Sequence, residues 1–262
     1  MTPHPPLPRS AAPVRARRVV PTLAALAVVA LTVSLGNWQM RRADEKSALQ
    51  AGRDAALAAA PLRIGAGPLD VPALVGRRVT LEGVFEPRGT IFLDNRTRGG
   101  VAGFHVLTPL RIAPAAAGDP DARHVLVLRG WIARDVADRN RLPALQTPDG
   151  EVRVEGLAMS ELAQPIVLGR GEAEAAPDAR IWQHLELEAY RRWSRLALQP
   201  VLVRQTSALD DGLARDWVEP GSGVEKHHGY AFQWYALAAA TGLLWLWFVV
   251  IAPRRARAGS GD

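Results

Sequence analysis

The sequence predicts a membrane protein of the α+β class, in which two transmembrane helices form a hairpin that brackets an extramembrane β domain. Uncharged apolar runs occupy residues 19–38 and 230–251. At a helical rise of ~1.5 Å per residue, each run is long enough to cross a hydrocarbon core of ~30 Å. Between them, residues 61–207 change to an alternating apolar and polar pattern that is typical of strands.

The first apolar run follows a proline- and arginine-rich tail, residues 1–18, which we predict to be disordered. Pro21 stands where the start of a helix tolerates proline. A cleaved signal peptide is the alternative for this run, because Ser34 to Gly36 provides a cleavage site between small residues. The run exceeds the ~7–15 apolar residues of a signal peptide, so a retained anchor is favoured. Helix-forming residues continue over 39–60 and predict a helical extension.

Six segments with strand-like periodicity follow, separated by Gly, Pro, Asn or Asp. They cover residues 77–86, 90–95, 102–112, 124–133, 151–159 and 200–206. Since consecutive strands without intervening helices pair with each other, they predict an antiparallel β sheet or a barrel-like domain. One amphipathic helix, residues 182–196, is predicted to pack on this sheet. Residues 208–229 then form a linker to the second span.

The net charge of +6 comes entirely from the two terminal tails, residues 1–18 and 252–262. Arginines before the first span and after the second predict that both termini are cytoplasmic and that the central domain is extracytoplasmic. The lipid bilayer is therefore a predicted partner. Nucleic acid is not, because the domain between the tails has no net basic charge.

The chain has no cysteine, which excludes disulfides, thiolate zinc sites and covalent attachment of c-type haem. It also has no G-x-S-x-G, H-E-x-x-H or P-loop motif. We therefore predict that the protein is not a membrane-bound hydrolase.

Polar and aromatic residues crowd the entrance to the second span. Helical spacing places His227, Tyr230 and Trp234 on one stripe, with Gln233 beside it. Gln39 lies at the matching depth of the first helix, and an amide at the edge of hydrocarbon needs a partner. The simplest structural interpretation is a Gln39–Gln233 hydrogen bond of ~1 kcal/mol, within an ordinary interfacial belt of aromatic side chains. The remaining histidines of the β domain, His105, His124 and His184, are predicted to be surface or strand residues.

Four segments carry a resemblance to a known family. They are LGNWQMRRADEK (35–46), FLDNRTRGGVAGFHVLTPL (92–110), VLVLRGWIARD (125–135) and HHGYAFQWYALA (227–238). In this order the chain resembles the Surfeit locus protein 1 family, assembly factors of haem-copper cytochrome c oxidase, over about residues 35–250. It departs from the family pattern at Phe104, Leu128 and Ala133, where Tyr, Asn and Pro are usual.

The resemblance implies a non-enzymatic protein of a bacterial plasma (inner) membrane that binds or hands over haem a for oxidase subunit I. Its partners would be that subunit and the machinery that makes haem a. His227 is the candidate axial ligand of the haem iron, and Arg42 the candidate partner of a propionate. The other candidate haem-binding residues are Tyr230, Gln233, Trp234, Trp38 and Gln39. The alternative function is a cofactor-free membrane scaffold that stabilises an assembly intermediate through protein contacts.

Overall fold

A computed structural model describes residues 16–114, 122–138, 140–160, 179–217 and 221–258. The chain divides into two units, each described by itself below. One, the helical unit, comprises Met1–Gly52 together with Pro220–Asp262, and the other, the β unit, comprises Arg53–Glu219. Most of the predicted N-terminal tail and the last four residues of the C-terminal tail lie outside the described residues.

The elements follow one another as short strands between two long helices. The helices are α1 (Ala16–Ala58), α2 (Val71–Leu74), α3 (Leu187–Ser194), α4 (Val224–Trp245) and α5 (Ala252–Ala258), with a 3-10 turn at Pro87–Gly89 and a π turn at Leu246–Ile251. The strands are β1 (Leu62–Arg63), β2 (Arg78–Phe85), β3 (Ile91–Arg98), β4 (Val101–Ile112), β5 (His124–Ala133), β6 (Glu151–Met159), β7 (Ile181–Trp182) and β8 (Leu198–Gln205).

Two helical stretches, Arg18–Ala58 and Val224–Arg255, are long and apolar enough to cross a membrane. In their most apolar windows only 11% of the first and none of the second is buried. The core helix of a soluble domain would hide this surface from water, so the exposure favours a lipid environment for both helices. Helix α1 is continuous through the predicted span and most of its predicted extension, and ends three residues before Pro61.

Each of these two helical stretches contains a proline, Pro21 in the first and Pro253 in the second. Pro21 lies inside α1, because the helix already begins at Ala16 and not at the proline. Spanning helices tolerate such a proline when neighbouring groups satisfy the backbone that it leaves unpaired. In the second helix the π turn Leu246–Ile251 directly precedes α5, which contains Pro253. The missing N–H of this proline is a physical cause for the widened turn.

The β unit is built around a closed ring of five strands. Strand β2 pairs with β6, β6 with β8, β8 with β5, β5 with β4, and β4 again with β2. The predicted barrel-like domain is therefore present. Strands β1, β3 and β7 extend the sheet outside this ring. Closure satisfies the backbone groups that an open sheet would leave unpaired at its edges.

Closure of the barrel depends on a glycine in β2. Residues Arg78–Val84 pair with β6, and from Gly83 to Phe85 the same strand also pairs with β4. A Cβ atom at Gly83 would overlap the carbonyl oxygen of Arg111 on β4. Glycine therefore permits the close backbone approach at which β2 passes from one neighbour to the other.

The sheet is mixed: among the described strands five pairs are antiparallel, as predicted, and three are parallel, which the prediction missed. Strand β8 runs parallel to β5 within the ring, while β1 runs parallel to β2 and β7 to β3 outside it. Parallel pairing needs a long connection. Between β5 and β8 the chain supplies one, because β6, β7 and α3 all intervene.

Strand β5 is buried on both faces. Val125 and Val127 belong to the apolar cluster that includes residues of β2, β6 and β8. Leu126 and Leu128 belong to a second cluster, which includes Tyr190 of α3. A strand between two layers of side chains has no face open to solvent, and this explains the unbroken burial from His124 to Trp131. Leu128, a departure from the family pattern, accordingly fits its surroundings as an apolar residue.

The amphipathic helix is shorter than the predicted 182–196, since α3 covers only Leu187–Ser194. Trp182 lies instead in β7, paired with Leu93 of β3. It still packs against the helix, with ring centroids 6.0 Å from Tyr190 and 5.6 Å from Trp193. The hydroxyl of the buried Tyr190 donates a 2.6 Å hydrogen bond to the carbonyl of Gly89, and burial raises the pKa of this phenol.

A buried ion network holds the segment after β8 to the barrel. Arg129 of β5 and Asp211 are fully buried and joined by a 2.8 Å contact between Nη2 and Oδ2. Arg215 donates to the same carboxylate oxygen. Arg129 Nη1 also donates to the hydroxyl of Thr147 at 2.8 Å, and its guanidinium lies 4.7 Å from the ring centroid of Phe85. Asp211 is thus the acidic partner shared by two buried or nearly buried cations.

We expect Asp211→Ala to destabilise the full-length protein by about 3–5 kcal/mol, because it leaves two guanidinium groups without their buried counter-ion. The measurement is the free energy of unfolding in detergent, from urea titrations followed by tryptophan fluorescence. Asp210→Ala is the matched control, since Asp210 is adjacent and exposed. A loss equal to that of the control would contradict a structural role for the network.

Candidate functional site

The helical unit contains a line of small residues along which the two long helices meet. Thr32, Gly36 and Ala43 are buried on α1, and Ala231 and Ala238 are buried on α4. Small side chains allow helix backbones to approach closely, which matters in lipid because burial of apolar area no longer drives helices together. The buried positions follow the spacing of 3, 4 or 7 residues that defines one helix face.

The closest contact on this line is between Gly36 and Tyr235. A Cβ atom at Gly36 would stand 2.6 Å from Cε1 of the tyrosine ring, so only glycine fits there without displacing the ring. The ring is also held at its far end, because its hydroxyl donates a 2.7 Å hydrogen bond to Oδ1 of Asn37. Asn37 was not among the predicted site residues, although an amide next to an apolar run was a signal for it.

A second hydrogen bond between the two helices lies toward the other end of the helix pair. The indole Nε1 of Trp245 donates a 3.0 Å hydrogen bond to the hydroxyl of Thr22. That hydroxyl in turn donates to the carbonyl of Arg18 in its own helix, at 2.7 Å. Together with the Asn37–Tyr235 bond, these contacts show that α1 and α4 run antiparallel along a length from Thr22 to Asn37.

The third hydrogen bond between the helices joins two of the predicted site residues. Nδ1 of His227 lies 2.7 Å from Oε1 of Gln39. The predicted Gln39–Gln233 hydrogen bond is thus replaced by one to histidine, and Gln233 is exposed. The reason is the orientation of α4. Its contact face contains His227, Ala231, Trp234, Tyr235 and Ala238, and Gln233 is exposed outside this face.

The Gln39 contact favours one tautomer of the imidazole. An amide oxygen can only accept a hydrogen bond, so Nδ1 of His227 is the donor. In the neutral ring the other nitrogen, Nε2, then carries a lone pair. A neutral imidazole with its lone pair on Nε2 can accept a hydrogen bond or ligate a metal.

The other predicted residues surround this pair unevenly. Trp234 is half-buried on the contact face. Trp38 and Tyr230 lie off it, with 51% and 53% of their surfaces exposed. Arg42 forms a 2.8 Å ion pair with Glu45 one turn along α1, and both side chains are more than half exposed. The structure therefore joins Gln39 directly to His227 and leaves three aromatic or basic candidates accessible on the surface of the helix pair.

The histidines of the β unit have different surroundings. His105 packs edge-on against Trp217, with ring centroids 5.5 Å apart. Burial, and secondarily the positive charge of Arg96, lower the pKa of His105 to about 4. Burial likewise lowers the pKa of His124, which is buried in β5. Both positions lie in strands, as predicted, and their rings are packed against protein.

A sequence model described as the SURF1 family matches residues 26–239, most of the chain. The chain belongs to the SURF1 family. This confirms the resemblance that the four sequence segments indicated. The match includes Gln39 and His227, together with the whole barrel, most of the first long apolar helix and the first half of the second.

Individual members of the SURF1 family are similar to the chain, two of them over most of its length. A SURF1-like protein of Monosiga brevicollis is 25% identical over 241 residues, which cover 85% of each chain. Surfeit locus protein 1 of Homo sapiens is 26% identical over 80% of this chain and 71% of its own. The Arabidopsis thaliana protein of that name is 36% identical over a shorter stretch, 43% of this chain and 33% of its own.

We expect Gly36→Ala to weaken the helix pair of this SURF1-family protein by about 1–3 kcal/mol, the usual cost of overpacking. The measurement is resistance to unfolding in a detergent titration, read by tryptophan fluorescence. Gly52→Ala is the control, because Gly52 lies in the same helix with open space around it and should be neutral or stabilising. Combination with Tyr235→Ala should remove most of the Gly36→Ala penalty; additive losses would contradict the proposed clash.

The low pKa of His105 gives a second expectation. As the pH falls from about 6.5 to about 4, the unfolded chain protonates this histidine while the folded protein does not. The unfolded state then binds more protons, so the free energy of unfolding should decrease across this window, with a slope of up to ~1.4 kcal/mol per pH unit from this residue. Urea titrations at several pH values measure the slope. His105→Gln should reduce it and exposed His228→Gln should not; an unchanged slope in His105→Gln would refute the assignment.

Proposed function

We propose that the chain is a membrane-anchored assembly factor for haem-copper cytochrome c oxidase, which binds haem a and presents it to subunit I. Membership of the SURF1 family supports the assembly role. The observation that carries the haem-binding role is the 2.7 Å contact between His227 and Gln39. It provides an imidazole of the form that haem iron prefers, at the entrance to a spanning helix.

The side chains present fit the needs of a haem. Axial histidines bind iron through a neutral imidazole, and they usually donate their second ring N–H to a carbonyl or carboxylate. His227 has this arrangement, with the amide oxygen of Gln39 as the acceptor. When bound, the haem would supply an electron-accepting iron and a flat apolar macrocycle. The chain supplies the ligand, its orientation and a place at the edge of an apolar helix.

Arg42 suits a propionate because its present ion pair is weak. Exposed pairs of this kind contribute only about 0–1 kcal/mol, and both Arg42 and Glu45 are largely exposed. Exchange of Glu45 for a propionate carboxylate would therefore cost little. Arg42 lies three residues after Gln39, on the same side of α1, so its guanidinium belongs to the same region as the proposed ligand.

Exposed aromatic side chains support contact with the macrocycle. Trp38 precedes Gln39, and Tyr230 follows His227 by three residues. Large flat side chains that remain half exposed can stack on a planar ligand without first breaking internal packing. Trp234 is half-buried on the helix contact face, and Gln233 is exposed beside it. In this proposal these four residues line the haem site without ligating iron.

The proposal includes a location and partners. The arginines that flank both spans support a hairpin with both termini cytoplasmic and the β unit extracytoplasmic, which we assign to a bacterial plasma membrane. Oxidase subunit I would receive the haem, and the machinery that makes haem a would provide it. The role is delivery, so we propose neither catalysis by this chain nor binding of nucleic acid.

We expect His227→Ala to lose most of the Soret absorbance per protein when the full-length chain is purified in detergent from cells that make haem a. His228→Ala is the matched control and should retain it, because His228 is exposed and adjacent. Arg42→Ala should bind less haem without a change in the band position, since a propionate contact does not touch iron.

Equal haem content in His227→Ala and the wild type would remove this residue from the site. Absence of haem from all variants, with oxidase still poorly assembled when the gene is deleted, would favour the alternative function. In that alternative the chain is a cofactor-free scaffold, and the exposed faces of its helices contact an assembly intermediate.

A further inference from the structure

We propose that Gln39 is a positioning residue, which holds His227 in the tautomer with the proton on Nδ1 so that Nε2 is the nitrogen that ligates iron. The part of the inference that concerns iron ligation by Nε2 rests on the proposed haem-binding function. Its first part, the position of the proton, concerns the protein without haem and can be tested separately.

The tautomer matters because histidine in water does not favour it. Free neutral histidine mainly carries its proton on Nε2, which leaves that nitrogen unable to ligate. A hydrogen-bond acceptor beside Nδ1 reverses the preference, and the other nitrogen becomes the ligand. The amide oxygen of Gln39, 2.7 Å from Nδ1, is such an acceptor.

The helix packing fixes this acceptor in place. Gln39 lies three residues from Gly36, where the tyrosine ring of α4 packs directly against the backbone of α1. It lies four residues from Ala43, which is fully buried on the same face. Gln39 and His227 are therefore held on facing surfaces of two helices.

The chain provides a matched control for a purely structural role. The hydrogen bond from Tyr235 to Asn37 has the same length, 2.7 Å, also joins side chains of α1 and α4, and also uses an amide oxygen as acceptor. It does not involve a histidine. Removing it should loosen the helix pair as much as removing the Gln39 contact, but should not change the imidazole.

The first experiment measures the tautomer in haem-free, full-length protein with ¹⁵N-labelled histidine by NMR at pH 8. His227→Ala identifies the signals of His227. We expect protonated Nδ1 in the wild type, in Gln39→Glu and in Asn37→Leu, and a shift toward protonated Nε2 in Gln39→Leu. A wild-type His227 protonated on Nε2, or an unchanged tautomer in Gln39→Leu, would overturn the inference.

The second experiment measures the haem-loaded protein. Gln39→Leu should bind haem about 10–100-fold more weakly, the usual effect of removing such an outer hydrogen bond, whereas Asn37→Leu should not. Gln39→Glu should retain binding and, because a carboxylate is a stronger acceptor, should raise the iron–histidine stretching frequency and lower the reduction potential. Equal affinity and equal spectra in wild type and Gln39→Leu would overturn the ligand role of the contact.

The two experiments separate failure of the inference from failure of the proposed function. Protonated Nδ1 in wild type combined with no haem binding in any variant would overturn the haem-binding function and leave the proton assignment standing. Haem binding through His227 with no dependence on Gln39 would overturn the positioning role and leave the proposed function intact.

Discussion

The helix pair depends on a close approach that only glycine permits. At Gly36 the ring of Tyr235 occupies the space that any other side chain would need. Lipid does not push apolar helices together, so helices in a bilayer associate through close packing and through hydrogen bonds between polar side chains. The Asn37 and Gln39 side chains, one and three residues further along α1, also contact α4, and they reach their partners only when the two backbones are near. The candidate site is therefore a consequence of helix packing.

The β unit is stabilised by quite different means. Its strands form a closed ring that satisfies their backbone groups, its β5 strand is covered on both faces, and Arg129 and Asp211 are paired inside it. None of the residues assigned to the proposed haem site belongs to this unit, since all seven lie in Met1–Gly52 or Pro220–Asp262. The buried histidines of the barrel are packed in strands and are poor candidates for a ligand that must enter from outside. This separation explains why residues of only two helices carry the functional proposal.

Sequence reasoning succeeded where a signal is local. The length of the uncharged runs predicted two long apolar helices, and alternation predicted strands such as 124–133 with correct ends. It failed where the residues fit both a helix and another structure, and where the structure depends on pairing between segments far apart in the sequence. Trp182 and Leu185 fit the apolar face of a helix, yet the chain there is β7 and a loop. The parallel pairing of β5 with β8 depends on the path of the chain between them. The partner of Gln39 depended on the rotation of α4 about its axis. The predicted face contained Tyr230 and the observed face contains Ala231, a difference of one residue that the sequence pattern does not resolve.

The three hydrogen bonds between α1 and α4 can be compared by what each adds. As structural ties they are modest, because hydrogen bonds between spanning helices average about 0.6 kcal/mol and rarely exceed ~2 kcal/mol. The Thr22–Trp245 and Asn37–Tyr235 bonds need no further role to explain their presence. The Gln39–His227 bond differs because it also determines which ring nitrogen carries a lone pair. A factor of ten in ligand affinity corresponds to ~1.4 kcal/mol, so a contact of small structural worth can have a large effect on binding. The Gln39–His227 bond is therefore best understood by its effect on the imidazole. The neighbouring packing at Gly36 keeps the geometry of this bond constant.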